Sequence, residues 1–316
     1  MKIVILDKMT LGDDIDLSPL YKLNAEIDIF DSTKPDEVEE RIINADVVIV
    51  NKIKLGENNL SAASKLKLIC VAATGYDNID LNFCASHNIS LCNVPGYSTE
   101  SVAQLTVGMA LYLVMHLDDY RGFVNSGEYT NSGIANRLVP VYHEMSSLTW
   151  GVIGGGAIGK RVADIASTLG CNVLMCRRKK DETYKNATID EICKNSDIIS
   201  LHVPLNESTY NIINKERIDE MKDGAVFINV ARGNVADEAA LAEAVKRGKL
   251  GGLGIDVYSK EPFPKDHPYH DIMNMKNVCL TPHMAWGAAE ARNRCLSIVA
   301  ENIRLFFEGK AVNKII

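Results

Sequence analysis

Three polar residues far apart in the chain each stand just behind a short apolar run: Arg232 in INVARGN (228–234), Glu261 in GIDVYSKEP (254–262) and His283 in LTPHMAW (280–286). A guanidinium, a carboxylate and an imidazole form a set suited to reducing a 2-oxo acid. A planar guanidinium meets a carboxylate through two parallel hydrogen bonds, which a lysine cannot do. An imidazole titrates near neutrality, so it can give a proton to a nascent alkoxide and take one back in the reverse direction. A carboxylate beside the ring favours its protonated form. Taken singly, each residue has a plainer reading: a loop histidine after Pro282, a member of a surface ion pair, a turn residue before Pro262.

A second pattern is GVIGGGAIGKRVADIASTLG, with Gly154, Gly156 and Gly159 in a G-x-G-x-x-G arrangement. The glycines directly follow a strand-like run (TWGVI) and open a helical segment. Gly170 and a second strand-like run (NVLMC) come after it, which completes the βαβ context of a dinucleotide site. Gly154 permits the tight turn, Gly156 lets backbone approach a pyrophosphate, and Gly159 allows close packing of helix on strand, while the helix start offers N–H groups to an anion. Sites that prefer NAD carry an acid about 20 residues beyond the glycines. Here that place falls in VLMCRRKK (173–180), at Arg177, with Arg178 and Lys179 beside it. Such a cluster suits the 2′-phosphate of NADP, with a preference over NAD of roughly ten- to a hundredfold if one charge-assisted bond makes the difference. NAD is the alternative cofactor, and a solvated strand end is the alternative reading of the cluster.

The elements that must carry these residues are written in the apolar pattern. KIVILD, EIDIF, DVVIV, LKLICVAA and ISLCNV alternate with helical segments. After the long apolar helix of YSTESVAQLTVGMALYLVMHLDDYRG, which suits a position between two domains, the alternation resumes with TWGVIGG, NVLMC, DIISLHV, AVFINV, LGGLGIDV and NVCLTP. Strand and helix in turn predict two doubly wound α/β domains with parallel sheets of five and about six strands. Residues 1–98 plus 286–316 form one domain and 99–285, the dinucleotide-binding domain, is inserted in it. The helical tail from Ala285 to Phe307 is expected to pack back on the first domain.

With 316 residues, 47% hydrophobic and 24% charged, and a net charge of −7, the chain reads as globular and lacks the basic face that nucleic acid or a membrane surface attracts. Eight cysteines include no C-x-x-C pair and suit free thiols in a reducing compartment, and the N-terminus MKIVILDK has too short an apolar run for a signal peptide, so a cytoplasmic protein is expected. His267 and His270 in KDHPYHD are read as part of a solvent loop, and no metal site is expected. His87, His116, His143 and His202 show no paired chemistry. Lys52 is either an exposed lysine or one that attracts an anionic substrate.

In order along nearly the whole chain, VAATGYDNID, NVPGYSTESVAQ, GGGAIG, HVPL, NVARGNVADEAALAEAV, GIDVYSKEP and TPHMAW resemble the landmarks of the D-2-hydroxyacid dehydrogenase family. The segments ATGYDNID, PGYSTESVAQ and TPHMAWGAAEAR are most similar to its hydroxypyruvate and glyoxylate reductase (glycerate dehydrogenase) branch. The resemblance implies a Rossmann cofactor domain inserted in a flavodoxin-like substrate domain, with the active site in the cleft between them. It implies that Arg232 binds the substrate carboxylate and polarises the keto oxygen, that His283 is the acid/base, and that Glu261 is its partner. It implies that backbone around Thr74 and Gly75 cradles the substrate carboxylate, and Ala73 and Trp286 join Lys52 as further substrate candidates. Around the cofactor it implies Thr74, Ala157, Ile158, Val203, Pro204, Val230, Ala231, Ala285 and Asp256, the last holding the nicotinamide amide. Arg177 departs from the family's usual Asp, and Asn234 and Ala236 from its usual Gly and Val. No regulatory extension of the kind found in many phosphoglycerate dehydrogenases is expected, and that activity is disfavoured. The expected partners are a small 2-oxo acid, hydroxypyruvate or glyoxylate first and a bulkier branched or aromatic one second, and a second copy in a homodimer. A non-catalytic, NAD(P)-sensing corepressor-type module is the alternative class, and an intact Arg232, Glu261 and His283 set argues against it.

Overall fold

A computed structural model of the chain describes residues 1–178 and 183–316, which divide into two compact units, Met1–Ser98 with Trp286–Ile316, and Thr99–Ala285. In the first unit the five apolar runs become strands β1 (Lys2–Ile5), β2 (Glu26–Ile29), β3 (Val47–Val50), β4 (Leu68–Val71) and β5 (Ser90–Cys92). All pair in parallel, in the order β2-β1-β3-β4-β5, the flavodoxin-like arrangement.

In β1, β3 and β4 the apolar run is continuous rather than alternating because both faces of the sheet are covered there. Ile3, Ile5, Val47 and Ile49 enter one buried cluster, and Val4, Val48 and Val50 enter another on the opposite face. The helix Ala289–Phe307 supplies Ala291, Cys295, Leu296, Val299 and Ile303 to the first of these. It therefore belongs to the first unit. Beyond it the chain end runs beside β5, where Ile315 N–H donates to Leu91 O at 2.8 Å.

The second unit holds β6 (Thr149–Ile153), β7 (Asn172–Cys176), β8 (Lys185–Asn186), β9 (Ile198–Leu201), β10 (Ala225–Asn229), β11 (Leu250–Ile255) and β12 (Val278–Leu280). The order is β12-β11-β10-β9-β6-β7-β8, again all parallel. Counted from its own first strand this is 3-2-1-4-5-6 with a seventh at one edge, the Rossmann order. One strand announced by no apolar run is β8, two residues that pair with Leu174 and Met175. The long apolar helix, Thr99–Val114, rests on β11: Gly252 and Gly254 carry no side chains there, and Leu113 and Met109 fill the space.

A buried polar chain crosses from β6 to the end of β9. The Trp150 indole N–H donates to Ser200 Oγ at 3.0 Å, and Ser200 Oγ lies 3.0 Å from His202 Nε2. Since the indole nitrogen can only donate, the serine hydroxyl hydrogen is left for His202. Burial holds the His202 imidazole well below its ordinary 6.5, at about 3. The unfolded chain takes up a proton there that the folded chain refuses. Stability from a neutral His202 is therefore complete above pH ~6.5 and is lost as pH falls towards ~3. Urea unfolding should lose about 2 kcal/mol from this residue between pH ~7 and ~5, and His202→Gln should flatten that decline. Parallel curves for the two proteins would mean that His202 protonates without unfolding.

Candidate active site

Strand register brings the three chemical segments level. Asn229 of β10 pairs with Ile255 of β11, and Ile255 pairs with Leu280 of β12. Arg232 follows the first of these by three residues, Glu261 the second by six, and His283 the third by three. All three thus emerge from the carboxyl ends of adjacent strands, where open α/β sheets bind ligands.

His283 Nδ1 meets Glu261 Oε2 at 2.6 Å, a short charge-assisted contact. The other carboxylate oxygen, Oε1, accepts the Tyr258 N–H at 3.0 Å, so Glu261 is held at both ends. The Tyr258 hydroxyl donates to Thr281 O at 2.9 Å and ties the Glu261 turn to the His283 turn. With Nδ1 turned to the carboxylate, Nε2 is the nitrogen on the other side of the ring. Both side chains remain partly exposed.

His283 has φ +52°, a left-handed backbone that a residue with a Cβ adopts only when its surroundings impose it. Asp256 imposes it. Its Oδ1 accepts from the Thr281 hydroxyl (2.6 Å) and from Met284 N–H (2.8 Å), and its Oδ2 accepts from Ala285 N–H (2.9 Å). Burial pushes the Asp256 carboxyl up while these three donors pull it down. The side chain is fully buried. In the structure both Asp256 oxygens accept from the turn that presents His283.

Arg232 sits in a loop braced from within. Asn229, buried at the end of β10, donates its amide to Arg232 O (2.9 Å) and accepts from Ala231 N–H (3.0 Å). The half-buried guanidinium donates from Nη1 to Ala231 O at 2.7 Å. The next residue, Gly233, lies so near the Tyr258–Ser259 backbone that a Cβ would overlap Tyr258 C and Ser259 N. The Arg232 loop and the Glu261 turn are thus packed backbone to backbone.

At the glycine-rich loop, Gly154 has φ +115° and its Cα faces His202 O, while Gly159 approaches Gly154 O so closely that a Cβ would overlap it. A Cβ at Gly156, by contrast, would meet no protein atom within 4 Å. Gly156 and Ala157 are exposed where the helix Ala157–Thr168 begins, and Ile158 is half-buried. The first turn has no capping side chain, so its N–H groups fit the pyrophosphate of a dinucleotide. Arg177 lies beside the loop, its Cβ against Gly155. Its guanidinium donates to Tyr184 O (2.9 Å) and Asn186 Oδ1 (3.2 Å). Arg178 is exposed, and Lys179 lies outside the described residues.

The remaining candidates divide by unit. In the second, Val203 packs beside Gly154, Pro204 is exposed with its carbonyl accepting from the Thr209 hydroxyl, and Val230, Ala231 and Ala285 are buried. In the first, the Thr74 hydroxyl donates to Val94 O (2.9 Å), Ala73 O accepts Val94 N–H (2.9 Å), and Gly75 is half-buried. Buried Asp7, which sequence reasoning passed over, accepts the N–H groups of Asn51, Lys52 and Ile53 at 2.7–3.3 Å. It fixes the backbone from which exposed Lys52 sends its ammonium to within 5.9 Å of the Trp286 ring centre. His267 is 7% exposed and contacts Glu238, so it does not belong to a solvent loop.

Residues 107–285 match the family described as D-isomer specific 2-hydroxyacid dehydrogenase, NAD binding domain. A hydroxypyruvate reductase of Blautia hydrogenotrophica is 34% identical over 323 residues, covering 99% of each chain. A D-lactate dehydrogenase of Aquifex aeolicus, solved with NAD and lactic acid, is 31% identical with a TM-score of 0.86, covering 98% of this chain and 96% of its own. An acyclic imino acid reductase, solved with NADPH and D-Arg, is 30% identical with a TM-score of 0.87 over the whole of both chains.

Two glycine substitutions should separate packing from binding. Gly233→Ala forces apart two backbones and should cost roughly 1–3 kcal/mol in urea unfolding, with a fall in turnover. Gly156→Ala should unfold like the unaltered protein yet weaken dinucleotide affinity, read by fluorescence titration, by tenfold or more. Unchanged affinity for Gly156→Ala would show that the pyrophosphate lies elsewhere.

Proposed function

Since this chain belongs to the D-isomer specific 2-hydroxyacid dehydrogenase family, we propose that it reduces a small 2-oxo acid to the D-2-hydroxy acid with NADPH, hydroxypyruvate or glyoxylate being the first substrates to consider. The observation that carries the reading is the 2.6 Å bond between His283 and Glu261, at strand ends level with that of Arg232. A binding module needs no such proton donor. That bond favours catalysis over the sensing alternative.

Gly154, Gly156, Ala157, Ile158 and Gly159 would hold the dinucleotide, and its nicotinamide, when bound, supplies the hydride. Arg232 pairs with the substrate carboxylate and draws electron density from the keto group. His283 gives its proton from Nε2 to the oxygen that gains charge, and Glu261 keeps Nδ1 engaged so that Nε2 faces outward. In the reverse direction Nε2 takes the proton back.

For the cofactor, Arg177 and Arg178 favour a 2′-phosphate where an acid would repel it. The NADPH-bound imino acid reductase supports this choice, and the NAD-bound lactate dehydrogenase marks the alternative. Assembly as a homodimer is supported by exposed Leu117, Val124, Leu138, Val139, Val141 and Tyr142 in the second unit, and light scattering reads it. Eight unpaired cysteines favour a reducing compartment such as the cytoplasm. Among the described residues no single helix is long and apolar enough to cross a membrane.

A panel of 2-oxo acids assayed with NADPH and NADH tests the reading. The highest kcat/KM is expected for a small acid with NADPH, and Arg177→Asp should move the ratio of the two cofactors' specificity constants towards NADH. Tight cofactor binding with no turnover of any 2-oxo acid would favour the sensor. His283→Ala should lower kcat by about 10²–10⁴ while cofactor affinity stays nearly unchanged; a small loss would mean that another group moves the proton.

A further inference from the structure

Glu238 stands in the first turn of the helix Glu238–Lys246, but Asp237 already caps that helix by accepting Ala240 N–H. The Glu238 carboxylate turns away to the loop after β11. Its Oε1 accepts Ser259 N–H at 2.9 Å, its Oε2 accepts the Ser259 hydroxyl at 2.5 Å, and Oε2 also lies 3.0 Å from His267 Nε2. The two side chains are 11% and 5% exposed. His267 Nδ1 accepts Tyr269 N–H at 3.3 Å, so Nε2 carries the hydrogen given to Glu238. The Tyr258 ring stands edge-on to His267 at 6.1 Å, and Phe263 packs on both.

Burying a carboxylate is costly unless donors surround it, and here three do. What they fix is specific. Ser259 N–H goes to Glu238, and the preceding N–H, that of Tyr258, goes to Glu261. Two carboxylates therefore hold consecutive peptides of one turn. The far oxygen of the second is the one that meets His283.

We propose that Glu238 and His267 are positioning residues for the proton-transfer pair: they fix the Tyr258–Glu261 turn and so hold Glu261 against His283. Its kinetic consequence rests on the reductase reading above, but its structural consequence does not.

The test uses the full chain with Glu238→Ala, Glu238→Gln and His267→Asn, each alone and combined with Glu261→Ala. Glu238→Ala should lower kcat about tenfold while KM for the 2-oxo acid and the NADPH dissociation constant stay within about twofold. Glu238→Gln should recover part of the loss, since its amide oxygen can still accept from Ser259. On the Glu261→Ala background, Glu238→Ala should add nothing. An equal further loss there, or no loss on the native background, overturns the proposal. Should Glu238→Ala fail to fold, the Gln and Asn variants make the same comparison. With labelled histidine, the downfield NMR proton of the His283 donor, assigned by its disappearance in Glu261→Ala, should move or vanish in the Glu238 and His267 variants. An unmoved proton also overturns the proposal. If the native protein turns over no 2-oxo acid, the reductase reading fails and this proton still decides the positioning role.

Discussion

Parallel pairing sends the carboxyl ends of all the strands in a sheet out on one side, and in the second unit every consequence for chemistry follows from that constraint. Because β10, β11 and β12 are neighbours in register at Asn229, Ile255 and Leu280, residues more than fifty positions apart in the chain leave the sheet side by side. The reversal of strand order between β6 and β9 does the same for the nucleotide loop. Gly154 at the end of one strand touches the His202 carbonyl at the end of the other.

Strand ends carry a difficulty of their own, since the chain turns there and its N–H groups lose their ladder partners. This protein meets it repeatedly with a carboxylate. Asp7 takes three successive N–H groups after β3, Asp256 takes two N–H groups and a hydroxyl after β12, and Glu238 and Glu261 take consecutive N–H groups after β11. A carboxylate offers two oxygens with several lone pairs and a charge that strengthens each bond, so one side chain can fix a whole turn. Burial works against the arrangement, as the upward pull on the Asp7 and Asp256 carboxyls records. The turns held in this way carry Lys52, Glu261 and His283.

The strands and the glycine loop were legible in the sequence because their signals are local: apolar runs, turn glycines and their spacing. β8 was not, because Lys185 and Asn186 have no apolar pattern and form a strand only by lying beside Leu174 and Met175. The Arg232, Glu261 and His283 segments were legible from their place behind strands. The groups that brace them were not: Glu238 reaches Ser259 across 21 positions, and Asp256 reaches Ala285 across 29. His267, followed by Pro268, reads from its own segment as part of a solvent loop. Its burial comes from Glu238, Tyr258 and Phe263, none of which its own segment announces. Gly233 likewise gives no local sign of the backbone it must admit.

Arg177 joins cofactor choice to local structure. Its guanidinium donates to the Tyr184 carbonyl and the Asn186 side-chain oxygen, so it helps hold the segment that forms β8. In the proposed NADPH reading, its fork of five N–H groups can serve these neutral acceptors and a 2′-phosphate together. An aspartate at the same place would face the Tyr184 carbonyl, which has no hydrogen to offer, and the Asn186 amide, which offers one only if it turns over. The loop would loosen as well as change its charge, and affinity for both cofactors would fall together. The part of the effect that belongs to phosphate recognition is what survives in the ratio between them, because a loosened loop weakens NAD and NADP alike while a lost cation weakens the phosphorylated one further.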